Sequence, residues 1–276
     1  MGGSYFYVKI FEEVRKMLSD FTFNGVGNDE YGVICVAFDA QTKNNYSGQK
    51  TDLKTELSGD GRRFEIYDQK YSEPMSFNFQ IVNKDMTSIT PEQERYINKW
   101  LCSKGKYSWM FIQESRYADI YFEAVISNPQ VIDVAGVFGL EYTVTTSSAV
   151  CFSDEHDDSV TLTRDDNSFE LFLFNDDECY VYPKIEITFA ESGDFQLKNS
   201  MENEDYYFEV KGVTAGETIT FDNEIPLIES SSTPHDVWND CNKKWFRLFD
   251  GENTVSANLA CTMNLKYRET RRLIVY

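Results

Sequence analysis

The chain has 276 residues, 41% of them hydrophobic and 15% aromatic, with six prolines and no low-complexity tract, which is typical of a folded protein of about two domains. Its formal net charge of −20 and lack of a basic stripe argue against direct binding to nucleic acid. Because no apolar run approaches about 18 residues and no signal peptide is evident, we expect no membrane span and folding in a cytoplasm.

The first 21 residues show the spacing of an amphipathic helix. We therefore predict a helical extension at residues 1–20. Its apolar face either packs on its own domain or docks on a neighbouring subunit, and the sequence leaves both open. The apolar positions are Tyr7, Ile10, Phe11, Val14, Met17, Leu18 and Phe21.

Residues 21–155 are dominated by short β-type runs, and one helix interrupts them. Thr90 has the features of a helix N-cap, with Pro91 at the first helical position and Gln93 completing a capping box, and the helix should stop near Gly105. We predict an N-terminal β-sandwich-like domain with one or two helices. The runs are Tyr31–Phe38, Arg63–Tyr67, Met75–Ile81, Ile120–Ile126 and Glu141–Thr145, and the turn signals are Asn24-Gly25 and Ser58–Gly61.

The acidic stretch Ser153–Asp158 indicates an interdomain crossing. Residues 1–150 carry 15 Lys and Arg against 20 Asp and Glu, whereas residues 151–276 carry 11 against 26. Strand-like runs recur beyond it with no helical segment between them, which predicts a C-terminal jelly-roll β-sandwich at residues 156–276, with Pro183 at a strand start or edge. The runs are Phe169–Phe174, Tyr180–Phe189, Asp194–Leu197, Tyr206–Val210, Thr218–Phe221, Trp245–Phe249, Leu259–Tyr267 and Arg271–Tyr276, the last of which is free to return to the first domain.

Catalytic motifs are lacking. The two histidines are His156 and His235, and neither lies in a nucleophile, zinc or phosphate-binding motif; we interpret Ser232–Asp236 as a turn. We therefore predict no catalytic residue, no cofactor and no metal ligand. The widely spaced cysteines favour neither a disulfide scaffold nor a zinc site. They are Cys35, Cys102, Cys151, Cys179, Cys241 and Cys261.

Acidic and aromatic residues leave minor alternatives open. The clusters at Asp154–Asp158 and Asp176–Glu178 supply calcium-type ligands, but without EF-hand spacing we favour solvated loops. A carboxylate pair on a β-sandwich would suffice for a glycosidase, although a sequence gives no distance between carboxylates. Aromatic faces would serve a sugar-binding platform, but packing in cores and interfaces accounts for them more economically.

Several short segments, in order along the chain, carry a family resemblance. They resemble the distal tail (Dit) family of long-tailed phages over residues 21–276. In the first half they are Phe21–Gly25 with Glu30–Ile34, and Gln93–Leu101 with Asp119–Phe122; in the second half they are Tyr182–Ile187, Gly216–Asp222 and Arg247–Asn253.

The resemblance implies a structural protein and not an enzyme. It implies a C-terminal domain of galectin-like topology, and a homo-hexameric ring, built by the N-terminal domain, that joins the tail tube protein to tail-associated or adsorption proteins at the virion tail tip or baseplate. It implies no direct nucleic-acid or membrane partner, and assembly in the bacterial host. About 20 residues before the first strand depart from the family pattern, and the second domain has no long insertion. A carbohydrate-binding adsorption module on a β-sandwich is the alternative function.

Overall fold

The computed structural model describes residues 18–40, 51–59, 61–71, 73–102, 105–114, 118–134, 136–176 and 180–272. The chain forms two compact units. The first contains the described residues up to Phe152 together with Arg272, and the second spans Ser153–Arg271. Each unit has its own hydrophobic core, and the fold is mainly β, as predicted.

The first unit is built on an antiparallel sheet with strand order β2-β1-β7-β8-β9-β6-β3, and β10 pairs with β8. A separate two-stranded hairpin is formed by β4 and β5. The elements are β1 (Phe21–Phe23), β2 (Val26–Gly27), a 3-10 helix (Asn28–Tyr31), β3 (Val33–Ala40), β4 (Thr51–Leu57), β5 (Phe64–Tyr71), β6 (Ser76–Asn83), α1 (Pro91–Leu101), β7 (Ser108–Ile112), β8 (Tyr121–Val134), β9 (Val137–Thr146) and β10 (Cys151–Phe152).

Helix α1 begins as the sequence predicts. The Thr90 side chain accepts a hydrogen bond from the Gln93 backbone N–H, and the Gln93 side chain accepts one from the Thr90 N–H, so the capping box is complete. The helix ends at Leu101, earlier than the predicted stop near Gly105. Its buried face carries Ile97, Trp100 and Leu101 into the core of the first unit.

The predicted N-terminal helix at residues 1–20 lies outside the described residues except at its end, and there the prediction is wrong. Ser19 forms an isolated β-bridge with Cys35, with backbone N···O distances of 3.0 and 3.1 Å. Phe21 opens β1, and its N–H donates to the buried Asn28 side chain at 2.9 Å. Backbone pairing with a neighbouring strand therefore replaces helical hydrogen bonding before the apolar stripe ends.

The second unit is a β-sandwich of two antiparallel sheets. Their strand orders are β11-β19-β13-β16-β17 and β12-β18-β14-β15. Alternate residues of the strands enter one shared core, which is the period-2 pattern expected from the sequence. The elements are β11 (His156–Leu162), β12 (Ser168–Leu173), β13 (Lys184–Phe189), β14 (Gly193–Asn199), β15 (Phe208–Val213), β16 (Thr218–Asp222), β17 (Leu227–Ser230), α2 (Val237–Asp240), β18 (Gly251–Ala257), β19 (Cys261–Tyr267) and β20 (Thr270–Arg271).

The second unit departs from the sequence-based prediction at several places, among them the strands β17 and β18, which were not predicted. The run Trp245–Phe249 is not a strand, because only Leu248 makes a β-bridge, to Val181. A four-residue helix, α2, occurs where no helix was predicted. The acidic stretch Ser153–Asp158 is not a linker throughout, since its last three residues open β11 and pair with β19.

Two further predictions concern the ends of strands. Pro183 directly precedes β13, which then lies inside its sheet between β19 and β16, so Pro183 marks a strand start and not an edge. The final run Arg271–Tyr276 lies outside the described residues from position 273 onward. None of the described helices is long and apolar enough to span a membrane.

Candidate assembly surface

The hairpin of β4 and β5 is the most exposed ordered element of the first unit. Its register pairs Leu57 with Phe64 next to the turn and Thr51 with Tyr71 at the far end. At the turn, the Ser58 N–H donates to the Arg63 carbonyl at 2.7 Å, and the Gly61 N–H donates to the Ser58 carbonyl at 2.8 Å. Within the described part of the chain, β4 and β5 pair only with each other.

The register gives this hairpin one apolar face and one charged face. Successive side chains of a strand point to opposite sides, so cross-strand partners share a face. On one face Leu57 lies opposite Phe64 and Thr55 opposite Ile66, and Leu53 lies on the same face; on the other face Glu56 lies opposite Glu65, Lys54 opposite Asp68 and Asp52 opposite Lys70. The register shift after Lys54 leaves Tyr67 as the extra residue of a β-bulge.

Two lysines of the charged face form ion pairs within the hairpin. The Lys54 ammonium lies 3.1 Å from the Asp68 carboxylate, and the Lys70 ammonium lies 3.5 Å from the same group. The hydrogen bond from Lys54 lowers the pKa of Asp68, with a further contribution from the Lys70 charge. This face is therefore suited to solvent.

The apolar face is open to solvent and belongs to neither of the two cores formed by the described residues. Phe64 is 72% exposed, Ile66 60%, Leu53 53% and Leu57 49%. An isolated two-stranded hairpin is at best marginally stable in water, and a cluster of exposed large apolar side chains marks an interaction site. Burying each side chain would contribute about 1.5–3 kcal/mol. We call the face formed by Leu53, Leu57, Phe64 and Ile66 the apolar hairpin face.

The two histidines occupy structural positions in the second unit. The His156 ring stacks on Tyr267 with ring centroids 4.9 Å apart, and its Nε2 lies 3.7 Å from the Glu269 carboxylate. His235 is nearly buried, with Nδ1 2.5 Å from Glu217 Oε1 and Nε2 3.4 Å from Asp240 Oδ2. The turn interpretation of Ser232–Asp236 thus missed a buried contact, which no motif in the sequence signals.

Glu217, which directly precedes β16, anchors this contact. Burial alone would raise the pKa of Glu217, but hydrogen bonds from Ser230, His235 and Thr214 outweigh burial, and the pKa is lowered. Ser230 Oγ donates to Oε1 at 2.5 Å, and the Thr214 N–H donates to Oε2 at 2.9 Å. The network fixes the loop before α2 to the sheet.

Residues of the first acidic cluster form an ion pair and a hydrogen bond with side chains of β19. Asp157 forms an ion pair with Lys266 at 3.1 Å, and Asp158 accepts a hydrogen bond from the Tyr267 hydroxyl at 3.0 Å. Of the other cluster, Asp176 is described and positions 177 and 178 lie outside the described residues. Over the described positions, no group of three or more His, Cys, Asp or Glu side chains is placed to hold a metal ion.

Aromatic residues of the second unit gather around one arginine. The Arg247 guanidinium lies 4.6 Å from the Tyr180 ring centroid and 4.7 Å from that of Tyr206. It also forms a bidentate ion pair with Glu202, with N···O distances of 2.6 and 2.8 Å. Trp238 on α2 is half-exposed, and the Lys243 ammonium lies 5.0 Å from its ring. Several of these ring faces are thus already occupied by cations of the chain itself.

Two models of phage tail domains match the sequence one after the other. The phage tail protein N-terminal domain matches residues 16–148, and the phage tail C-terminal domain matches residues 151–267. The chain belongs to this family of phage tail proteins. As a member of the family, this tail protein is a component of the virion tail.

A solved structure shows the same fold as this tail protein. The Dit protein of SPP1, described as a paradigm of the hub adsorption apparatus in phages that infect Gram-positive bacteria, matches with a TM-score of 0.64 and 10% identity, over 91% of this chain and 98% of that chain. The resemblance to distal tail proteins is thereby confirmed. A tryptic core variant of Cry1Da from Bacillus thuringiensis gives a TM-score of only 0.20 at 8% identity, over 93% of this chain and 51% of that chain, and supports no inference. No curated protein matches the sequence.

Only part of the hairpin of this tail protein was predicted from the sequence. The predicted parts are the strand at Arg63–Tyr67 and the turn at Ser58–Gly61, and the strand Thr51–Leu57 was not predicted. The missing signal was the alternation of Leu53, Thr55 and Leu57 with charged residues, which is typical of a strand with one apolar face.

Proposed function

We propose that this protein is a structural hub of the phage tail tip, without enzymatic activity, and that it assembles as a homo-hexameric ring. The ring would join the tail tube protein to the tail-associated or adsorption proteins, after assembly in the host cytoplasm. Membership of a phage tail family and the fold shared with a hub protein support the structural role. We further propose that the second unit has a galectin-like topology and that the chain divides into domains at residues 21–155 and 156–276.

One observation carries the assembly: the apolar hairpin face is exposed in the single chain. Four large apolar side chains on an element with no core of its own favour burial against another chain. Cyclic closure would bury each copy of this face and leave no unsatisfied end. The first unit therefore supplies the ring contact, and the second unit remains available to other tail proteins.

Size-exclusion chromatography with light scattering tests the ring. Six chains of 32.0 kDa give an expected mass of about 192 kDa for the wild-type protein. The double variant Phe64→Ser, Ile66→Ser should elute as a monomer of 32.0 kDa. Glu65→Ser is the matched control, because Glu65 lies between the two on the opposite face, and it should assemble as the wild type does.

Two results would contradict the proposal. One is a wild-type chain that stays monomeric at high concentration and forms no ring in electron micrographs. The other is a double variant that assembles as well as the Glu65→Ser control. Circular dichroism on all three proteins checks that the first unit remains folded.

The exposed aromatic residues of the second unit favour a second candidate, a carbohydrate-binding adsorption module. Trp238 is half-exposed on α2. Tyr180 and Tyr182, two residues apart in the sequence, are also exposed, and their ring centroids lie 5.2 Å apart. Aromatic faces of this kind stack on sugar rings. Binding of host cell-wall polysaccharide by the wild type, abolished in Trp238→Ala, would support this candidate; equal binding by both proteins would reject Trp238 as its platform.

A further inference from the structure

Three lysines of the second unit lie over aromatic rings. Lys198 and Lys244 both lie over the Tyr207 ring, with ammonium-to-centroid distances of 5.0 and 5.3 Å. Lys243 lies 5.0 Å from the centroid of the Trp238 ring. Distances of this size are typical of cation–π contacts, which hold each ammonium group in place. We call these three lysines and two aromatic residues the lysine–aromatic patch.

The positive charge of this patch is not neutralised by an ion pair. Among the described residues, no carboxylate pairs with any of the three lysines, although residues 151–276 carry 26 Asp and Glu against 11 Lys and Arg. Other cations of the unit do find carboxylates: Arg164, Arg247 and Lys266 each form an ion pair, at N···O distances of 2.6–3.1 Å. The ammonium groups of the patch are therefore available to an anionic ligand.

The segment that carries two of these lysines is fixed to the edge of a sheet. Cys241 forms a β-bridge with Val210 of β15. The Asn242 N–H donates to the Glu209 carbonyl oxygen of the same strand at 3.0 Å. Lys243 follows with a φ of 59°, a left-handed conformation that is uncommon for a residue other than glycine. Conformations of this kind cluster at sites that hold a ligand.

The surroundings of the patch favour a charged glycan over an acidic peptide. Trp238 is half-exposed and offers flat apolar surface beside the Lys243 ammonium, on which a sugar ring stacks. A peptide would most readily add as a strand to the edge of β15, but residues 241–242 already occupy that edge beside the lysines. The formal net charge of −20 repels polyanions from the chain as a whole, so an anionic polymer is directed to a local positive patch.

We propose that the lysine–aromatic patch binds an anionic glycan, whose phosphate or carboxylate groups contact the three lysines while a sugar ring stacks on Trp238. Repeated anionic groups along a polymer engage several ammonium groups at once, which raises the affinity without further contacts. The inference goes beyond the hub role, because it needs no ring. It rests on the carbohydrate-binding candidate, which it deepens by naming the charge of the glycan and the residues that bind it.

Binding of the full chain to immobilised polymers, measured by biolayer interferometry, tests the patch. The probes are phosphomannan, polygalacturonate, neutral dextran and poly-L-glutamate. The wild type should bind an anionic glycan more tightly than dextran, and added salt should weaken this binding. Comparison of phosphomannan with polygalacturonate identifies the anionic group as phosphate or carboxylate. The double variant Lys198→Gln, Lys244→Gln should raise the Kd for the anionic glycan roughly tenfold.

The double variant Lys184→Gln, Lys211→Gln is the matched control. It removes the same charge from exposed positions of the same unit, and neither lysine belongs to the patch. This control should bind as the wild type does, and equal melting points of all three proteins show that the variants are folded. An unchanged Kd in the Lys198→Gln, Lys244→Gln variant, or an equal loss in the control, would overturn the patch.

The remaining outcomes separate this inference from the functions proposed above. Poly-L-glutamate bound as tightly as the anionic glycans would overturn the glycan and indicate an acidic protein partner. Dextran bound as tightly as the anionic glycans would overturn the anionic ligand and leave the carbohydrate-binding candidate standing. Binding of none of the probes would overturn the inference and that candidate together, and the hub would still be decided by light scattering.

Discussion

Replacement of Trp100 should destabilise the first unit more than any surface substitution. The side chain is only 8% exposed, and its ring stacks between Tyr31 and Phe21, with centroid distances of 4.3 and 5.5 Å. Its Nε1–H donates to the Phe23 carbonyl at 3.2 Å. Truncation of a buried tryptophan to alanine costs about 3–5 kcal/mol. The lost hydrogen bond accounts for about 1 kcal/mol of this cost.

Thermal unfolding followed by circular dichroism measures this effect. For a unit of this size 1 kcal/mol corresponds to roughly 2–4 °C, so a cost of about 3–5 kcal/mol should lower the first unit's midpoint in Trp100→Ala by roughly 6–20 °C. Trp100→Phe keeps a stacked ring and loses the hydrogen bond, so it should cost about 1–2 kcal/mol. Trp238→Ala is the control, since Trp238 is 46% exposed and surface substitutions usually change stability by about 0.5 kcal/mol.

A Trp100→Ala variant that melts within the range of the Trp238→Ala control would contradict this prediction. A chain with two units can unfold in two steps. If two unfolding transitions are seen, the variants are compared by the midpoint of the transition that Trp100→Ala shifts. The midpoint of the other transition serves as an internal standard. Equal midpoints for Trp100→Ala and Trp100→Phe would show that the aromatic stack contributes nothing.

Two further predictions concern one charge and one close packing contact. Because the pKa of Glu217 is lowered below its usual 4.5 in the folded state, its stabilising effect is present above about pH 4.5 and is lost as the pH falls through the lowered value. Glu217→Gln should therefore cost about 2 kcal/mol near pH 6, and the gap to wild type should narrow in acid; a pH-independent gap in denaturant unfolding would contradict this. A Cβ at Gly139 would lie 2.6 Å from the Ile81 carbonyl oxygen and 2.9 Å from Val82 Cγ1, so Gly139→Ala should cost about 1–3 kcal/mol in the same assay. Gly27→Ala, with open space around its Cβ, should be nearly neutral, and equal costs for the two alanines would reject the steric argument.

The exposed hairpin illustrates a limit of pattern reasoning. The alternation in Thr51–Leu57 and Phe64–Tyr71 is that of a strand with one buried face, and within a chain this pattern looks the same whether the face is covered by its own core or by another chain. Only the tertiary structure shows that the apolar hairpin face is open. The same holds for the stacking of Tyr31 on Trp100, because the two residues are distant in sequence.

The segment Trp245–Phe249 is not a strand, and here too contacts between residues distant in sequence decide the structure. Its aromatic residues have high β-propensity, but the bidentate ion pair of Arg247 with Glu202 and its contacts with Tyr180 and Tyr206 hold the segment irregular. The buried contact of His235 with Glu217 likewise joins residues 18 positions apart, and no local motif encodes it.

The sequence by itself determined the features that depend on neighbours along the chain. The capping box at Thr90 and Gln93 predicted the start of α1, and strand-type runs predicted β6 and β9 of the first core and β13 and β19 of the second, because hydrogen bonding within one turn and the facing of alternate side chains are local properties. The tertiary structure alone decided the register of the hairpin, the exposure of its apolar face and the partners of Arg247 and His235. Those features arise from contacts between distant segments, and their free energy depends on which surfaces meet, which local spacing does not specify.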